Sequence, residues 1–423
     1  HPAEHKELSC KAPLVPYMPK GELVFLMNQH IGKPAAPIVQ KGDRVLAGQR
    51  IAEATGFVSA NIFSSVSGTV KAIEPRPTAA GPMAQAIVIT PDGENTLAEG
   101  IGTQTNYLDL TNQEILDRIK AAGIVGMGGA GFPTHVKLTV KDPNKIRYVI
   151  ANGAECEPYI TCDDQLMQTH AEEIVTGIEI ILRLFPQAHG VVCIENNKPD
   201  AIAAMKAACE GRGRISVMPM KTKYPQGGER SLISVVASRH LKLGMLPADA
   251  GCVVDNVASI RAVYRAVCLN EPLMERGVTV SGDSVKNPGN FWVKIGTSSR
   301  ELVDACGGWN EGLEPEKILS GGPMMGIPLV NLDVPICKNN NAITALSVDP
   351  VSVAPMTACL RCGRCNRVCP LGLSPQLMQV AAQHKDYERY EKRLYGLECI
   401  ACGCCSYICP AKRPLMQLFK VTK

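Results

Sequence analysis

GIVGMGGAGFPTHVK, residues 123–137, is the stretch on which the fold turns. Gly126, Met127, Gly128, Gly129, Ala130 and Gly131 satisfy G-x-G-x-x-G. In a standard dinucleotide-binding unit that pattern follows a strand. Here residues 111–122 carry Ile115, Leu116 and Ile119 at helical spacing, behind a capping residue at Asp109 or Thr111. The loop therefore follows a helix. Its glycines still expose backbone N–H groups that can come close to a phosphate or a flat ring. Phe132 adds an aromatic face and Lys137 a positive charge. The plainer alternative is a tight loop that needs positive φ.

Outward from this loop, strand-like and helix-like runs alternate. Residues 145–150, 191–195, 215–219 and 251–259 read as strands, and 171–185, 200–209 and 231–239 as helices. That alternation predicts an α/β domain. Polar residues gather where these strands end: Asn152, Glu155 and Glu157 in one loop, Asp255 and Asn256 in another. Gly228 and Glu229 lie in a third loop, KTKYPQGGER, residues 221–230. The carboxyl ends of strands are where open α/β sheets bind ligands. Cys156 and Cys162 flank the acidic loop and read as buried small residues.

Upstream, residues 33–74 are short β-runs broken by Gly turns, which predicts a small barrel or sandwich. The pattern resembles the barrel-sandwich hybrid of lipoyl and biotinyl domains. Those domains carry a modified lysine on a hairpin tip, and residues 55–65 contain none. Shape is implied, not swinging-arm chemistry. Residues 277–308 read as small and β-rich, with turns at Gly282 and Gly289. SGGPMMG, residues 320–326, reads as a tight turn, since no lysine follows it as in a phosphate loop. His1, His5, His30 and His135 sit in no second metal pattern and read as surface or loop histidines.

The other end of the chain is dominated by sulfur. Of 423 residues, 18 are cysteine, and no export signal opens the sequence, so a disulfide framework is not expected. Cys359, Cys362, Cys365 and Cys369 read C-x2-C-x2-C-x3-C before Pro370. Cys399, Cys402, Cys405 and Cys409 repeat the spacing before Pro410. In two-cluster ferredoxins the fourth cysteine of such a run serves the other cluster. One 4Fe–4S cluster is therefore assigned to Cys359, Cys362, Cys365 and Cys409, and a second to Cys399, Cys402, Cys405 and Cys369. Zinc sites use paired C-x2-C instead. Cys404 is off-pattern and reads as a bystander facing the core. Two short helices are expected between the runs, around residues 377–381 and 387–394. The whole is a helical two-cluster ferredoxin module.

Composition narrows the rest. Hydrophobic residues make up 45% and charged residues 20%, ordinary values for a globular protein. No apolar run approaches the 18 or so residues of a membrane span. A net charge of +4 is too small to imply nucleic-acid binding. The charge is uneven, however: residues 346–423 hold 11 Lys and Arg against 5 Asp and Glu. Arg361, Arg364 and Arg367 lie inside the first cysteine loop. They either offset the charge of the clusters or form a docking face for an acidic electron-transfer partner.

The set GxGGAGFPTxxK, N-x-x-E-x-E-P, G-G-E and V-D-N-V is similar to the flavin- and NADH-binding subunit of respiratory complex I and related bacterial flavoproteins. By motif position, the resemblance implies FMN contacts at Gly126, Gly128, Gly129, Lys137, Asn152, Glu155, Gly228, Glu229, Asp255 and Asn256. It implies a nicotinamide side at Phe132 and Glu157. The chain departs from that family at three positions. Met127 stands in place of an arginine, Ala154 in place of an acid, and Arg230 in place of the second acid of G-E-E. These weigh on the NADH contacts more than on the flavin contacts.

A resemblance covering the whole chain is to the RnfC proteins of Rnf complexes. It is carried by the opening HPAEHKELS, by MNQHIGKPAAPIVQKGDRV at 27–45, by the flavin core and by the double cysteine run. Rnf complexes are membrane-bound ferredoxin:NAD+ oxidoreductases coupled to Na+ or H+ translocation. The implied architecture is an α/β multidomain chain in four parts. These are a barrel-sandwich hybrid at 1–104, a Rossmann-like FMN/NADH domain at 105–274, a β-grasp (SLBB-like) domain at 275–345 and the two-cluster module at 346–423. The implied partners are a ferredoxin-type iron–sulfur subunit, integral membrane subunits and NAD(H), with the chain peripheral on the cytoplasmic face of the cell membrane. The implied chemistry is hydride exchange between NAD(H) and FMN, then single-electron steps through the clusters, with no acid–base dyad. Two other readings stay open: a soluble flavin/iron–sulfur reductase such as a cobalamin reductase, and a plain two-cluster carrier with a structural central region.

Overall fold

The computed structural model of the chain describes residues 2–349 and 354–423. The helix before the glycine loop is Asn112–Ala121. Thr111 opens it with a capping box: its hydroxyl accepts the Glu114 N–H at 3.3 Å, and the Glu114 carboxylate accepts the Thr111 N–H at 2.7 Å. Ile115 and Ile119 are the buried face of this helix.

Beyond the loop lies a four-stranded parallel sheet, in the order Ile215–Met220, His189–Glu195, Tyr148–Gly153, Cys252–Asn256. Its strands His189–Glu195, Tyr148–Gly153 and Cys252–Asn256 are largely buried on both faces, as a parallel sheet covered by helices requires, while the edge strand Ile215–Met220 is partly exposed. Val149, Ala151, Val192, Ile194 and Val253 pack toward the helices Ala171–Leu184 and Val257–Leu269. The alternate residues Ile150, Val191, Cys193, Cys252 and Val254 pack toward the helix Glu229–Ala237. The two long helices cross closely at Gly177, where a Cβ would sit 2.3 Å from the Ile260 carbonyl oxygen.

The N-terminal part folds as two small antiparallel sheets. One runs Leu23–Leu26, Met83–Pro91, Gly68–Pro77, Arg44–Val45, and the other Ala36–Pro37, Arg50–Glu53, Ile62–Phe63. Leu23, Phe25, Ile51, Ile62, Ile87 and Ile89 fill the space between.

A six-stranded mixed sheet follows the α/β domain. Its order is Leu14–Tyr17, Gly289–Lys294, Glu275–Ser281, Ala342–Leu346, Lys317–Ser320, Ile327–Pro328, with the helix Ser299–Ala305 against it. Its first strand comes from the far end of the chain: Leu14 lies opposite Asn290 in a parallel pair.

In the C-terminal module, Met378, Ala381, Tyr390, Leu415 and Phe419 form a small core. They come from the helices Pro375–Gln383 and Leu415–Thr422 and the π-helical turn Arg389–Arg393. No helix among the described residues is long and apolar enough to cross a membrane.

Candidate flavin and iron–sulfur sites

The two cysteine runs fold alike. Arg361 (φ 53°) and Ala401 (φ 52°) turn into the left-handed region two residues after the first cysteine of each run. That turn aims the Arg361 N–H at the Cys359 sulfur and the Ala401 N–H at the Cys399 sulfur, both at 3.4 Å. Gly363 and Gly403 then open the short helices Arg364–Arg367 and Cys404–Tyr407, which carry the third cysteine of each set.

The module encloses two cavities, and the cysteines divide between them across the runs. Cys359, Cys362, Cys365 and Cys409 line one, and Cys369, Cys399, Cys402 and Cys405 line the other. Four sulfurs round a cavity, with backbone N–H groups directed at sulfur, is a donor set that suits a 4Fe–4S cluster. The surroundings differ. Cys402 and Cys405 are buried, whereas Cys359 and Cys362 are exposed.

At the glycine loop, the base is fixed and the tip is open. The Gly126 N–H donates to the Phe132 carbonyl at 2.8 Å, which closes the loop. The Met127 N–H donates to the Ser259 hydroxyl at 2.8 Å, and its side chain is buried. Gly128, Gly129 and Ala130 are exposed. A Cβ on Gly128 would press on the Asn256 side chain at 3.0 Å, so the loop lies directly over the end of the strand Cys252–Asn256. A Cβ on Gly129 would meet nothing within 4 Å.

Around this tip stand several of the expected residues. Lys137 donates to the Val254 carbonyl at 2.7 Å and lies 3.6 Å from Asp255. Asp255 is buried, and its Oδ2 has no hydrogen-bond partner among the described residues. Asn256 caps the helix Val257–Leu269 by accepting the Ala258 N–H, and donates to Asp163 at 2.7 Å. Asn152 donates to the Gly227 carbonyl at 2.9 Å, which ties the third loop to the strand ends. Gly228 precedes the helix Glu229–Ala237, and Glu229 is exposed at its start, facing the charges of Lys137 and Asp255. An open glycine tip, a lysine edge and an orphaned buried carboxylate oxygen fit an FMN above this surface.

Two of the expected contacts also carry hydrogen bonds within the fold. Glu155 (φ 46°) accepts the Asp163 N–H at 2.7 Å and the Asp164 N–H at 3.3 Å, capping the helix Cys162–Thr169. Burial pushes its carboxyl up to about 8. Glu157 accepts the backbone N–H groups of Met324 and Met325 at 3.1 and 2.9 Å. Burial pushes its carboxyl up to about 7. The turn 320–326 is therefore held by Glu157. Phe132 is half-buried beside the loop.

Sequence reasoning missed three buried cations that brace these loops. Arg276, 1% exposed, donates to the Met127 carbonyl at 3.1 Å from beneath the glycine loop. Lys338 is fully buried and donates to the carbonyls of Asn61 and, at 2.7 Å, Gly123; burial pulls its ammonium down to about 7. Lys6 donates to the carbonyls of Glu155, Glu157 and Ile160. Lys6 lies between His5 and Glu7, Arg276 follows Glu275 and Lys338 precedes Asn339, and a cation beside polar residues reads as exposed. The histidines also differ from expectation. His30 and His135 are buried, because His30 accepts the Ala60 N–H and fills the space between two N-terminal loops. His1 lies outside the described residues.

The cysteine module docks through its second run. The Tyr224 hydroxyl lies 2.9 Å from the Cys402 carbonyl and 3.3 Å from Glu157. Cys404 is buried, but it packs against Met324 and Tyr224 at this seam and not in the module's own core. Arg230 pairs with Glu398, one residue before Cys399.

Comparison with known proteins divides the chain the same way. Residues 1–94 match the RnfC barrel sandwich hybrid domain, 119–265 the Nuo51 FMN-binding domain, 278–328 the SLBB domain and 353–410 the 4Fe-4S dicluster domain. The H2-reduced NAD+-reducing [NiFe]-hydrogenase shares the fold over 75% of this chain and 63% of its own, with a TM-score of 0.51 and 19% identity. The RnfC-type protein of the proton-translocating ferredoxin:NAD(+) oxidoreductase complex of Clostridium ljungdahlii is 44% identical over all of this chain and 92% of its own length. Its Na(+)-translocating counterpart from Acetobacterium woodii is 40% identical, with 100% and 95% covered. The corresponding protein of a Vibrio cholerae ion-translocating oxidoreductase complex is 39% identical over 93% of this chain but 51% of its own. With these four domains in this order, and such identity over its full length, the chain belongs to the RnfC family of ion-translocating ferredoxin:NAD+ oxidoreductase (Rnf) complexes.

Proposed function

We propose that this chain is the electron port between NAD(H) and the rest of its complex, with the inner cluster at Cys369, Cys399, Cys402 and Cys405 next to the flavin and the outer one at Cys359, Cys362, Cys365 and Cys409 facing the partner. The observation that carries this order is burial: the second run is pressed against the flavin-site loops, and the first is open to solvent. Bound FMN supplies the exchange between a two-electron hydride and one-electron steps.

The residues do the rest by position and charge. The Gly128–Gly129 tip and Lys137 offer donors to an anionic group, and Asp255 and Asn256 offer polar edges at the strand ends. Met127, Arg276 and Ser259 hold the loop base rigid, so the tip is fixed before a ring arrives. Glu155 and Glu157 act indirectly, by fixing the loops around the site. Exposed Arg361 and Arg364 at the outer cavity, with exposed Arg367 on the short helix beside it, favour an acidic iron–sulfur partner. Membership of the RnfC family supports a peripheral place on the complex, on the cytoplasmic side where NAD(H) and ferredoxin are found; no helix among the described residues is long and apolar enough to cross a membrane.

The test is anaerobic purification, with flavin, iron and sulfide counted and the absorbance followed on adding NADH. The expected result is one FMN and about eight irons per chain, with flavin bleaching. Iron without flavin and no response to NADH would make the glycine loop structural and the chain a plain carrier.

A further inference from the structure

The helix Glu229–Ala237 begins with two adjacent charged residues that face different ways. Glu229 stands by Lys137 and Asp255 at the flavin surface, and Arg230 pairs with Glu398 of the cysteine module. Both oxygens of Glu398 are used: Oε2 takes the Arg230 guanidinium and Oε1 the Leu243 N–H. Both of those donors come from the flavin-domain side. Glu398 ends the short turn Gly396–Glu398 and is followed directly by Cys399. From inside the module, Lys423 holds the same turn through the carbonyls of Leu397 and Cys399. The pair is mostly shielded from solvent, with 23% of the arginine and 18% of the glutamate side chain exposed.

We propose that Arg230 and Glu398 form an interdomain latch that seats the inner cysteine loop on the flavin-site helix and so sets how fast electrons pass between them. The proposal rests on the flavin and cluster assignments above. An exposed pair would contribute little to docking. This one is two-sided, largely desolvated and one residue from a proposed sulfur ligand. Arg230 touches neither cofactor surface, so it is a positioning residue.

The test uses the full chain carrying its flavin and iron, in four forms: Arg230→Gln, Arg230→Glu, Glu398→Arg and the double reversal Arg230→Glu/Glu398→Arg. Two readouts are taken. Hydrogen exchange at the Leu243 amide and across residues 396–405 reports docking whatever the activity. Stopped-flow after NADH separates flavin bleaching from the later reduction of the clusters.

Arg230→Glu should expose the Leu243 amide and slow cluster reduction about tenfold or more, as expected for like charges pressed together. Flavin bleaching should stay within about twofold, and the double reversal should restore both readouts to within about threefold. Arg230→Gln should fall between. Should Glu398→Arg lose iron, the two Arg230 variants decide alone. Unchanged exchange and unchanged cluster reduction in Arg230→Glu would overturn the latch. So would a double reversal that keeps its iron yet recovers nothing. Loss of flavin or of NADH bleaching in the unmodified chain would instead count against the electron-port reading.

Discussion

The two cysteine runs share one spacing, one left-handed turn and one amide-to-sulfur geometry, yet they sit in opposite surroundings. The inner cavity is walled by Leu373, Met378, Met416 and Phe419 and backed by Tyr224 and Met324 of other domains. The outer one is walled by Gln376, Gln379, Arg361, Arg364 and Arg413, with two of its cysteines exposed. Ligand spacing decides what is bound. Burial, nearby charge and hydrogen bonding decide its potential and its neighbours. An apolar wall disfavours the added negative charge of a reduced cluster, and a collar of arginines favours it. On the order proposed above, the same motif would serve once as an internal relay and once as an outward contact.

The strongest way to break this contrast is to delete one site at a time. Cys405→Ser should cut iron from about eight to about four per chain and leave the outer cluster unreduced by NADH. Cys362→Ser should also halve the iron, but the inner cluster should still be reduced. Electron paramagnetic resonance of each variant after NADH reads the difference, and equal behaviour of the two would sink the order proposed.

A smaller effect is expected from reversing the outer collar. Arg361→Glu/Arg364→Glu/Arg367→Glu should lower the association rate with an acidic iron–sulfur partner by about tenfold or more at low salt. The difference should shrink as salt rises. Reduction of both clusters by NADH should be unaffected. A partner rate that ignores the reversal would leave the arginines as counterions only.

The smallest effect concerns the inner seam alone. The Glu157 carboxyl is pushed from 4.5 to about 7 by burial. Between those values the folded chain holds a proton there that the unfolded chain has lost. Stability therefore falls as pH rises from about 4.5 to about 7. Glu157→Gln should flatten that part of a melting-temperature profile. A slope identical to that of the parent chain would show that Glu157 does not control it.

What could be read from sequence follows how local the physics is. The crosswise grouping of cysteines was legible because loop reach is set by spacing. The parallel sheet was legible because buried strands announce themselves as apolar runs between amphipathic helices. Leu14–Tyr17 was not, since nothing in LVPY says that it pairs with residues near 290. Arg276 and Lys338 were invisible for a related reason. Their partners are backbone carbonyls far along the chain, Met127 for Arg276 and Asn61 and Gly123 for Lys338, and a carbonyl carries no sequence identity. The resemblance puts Glu157 on the nicotinamide side, but nothing in the sequence says that its carboxylate also holds the 320–326 turn through the Met324 and Met325 N–H groups.

The arm that carries Lys6 and Leu14–Tyr17 has a further consequence during synthesis. Asn290 donates to the Ser9 carbonyl across 281 positions of chain. At a ribosome adding ~5–20 residues per second, the arm is made roughly 14–56 s before that partner exists. Through that interval the ribosome holds a chain whose barrel and flavin domain can collapse, while the backbone clamp over residues 155–160 has its sheet still unmade. Until residues 290–293 are made the arm has no strand to pair with, and any delay in translation before residue 294 lengthens that wait.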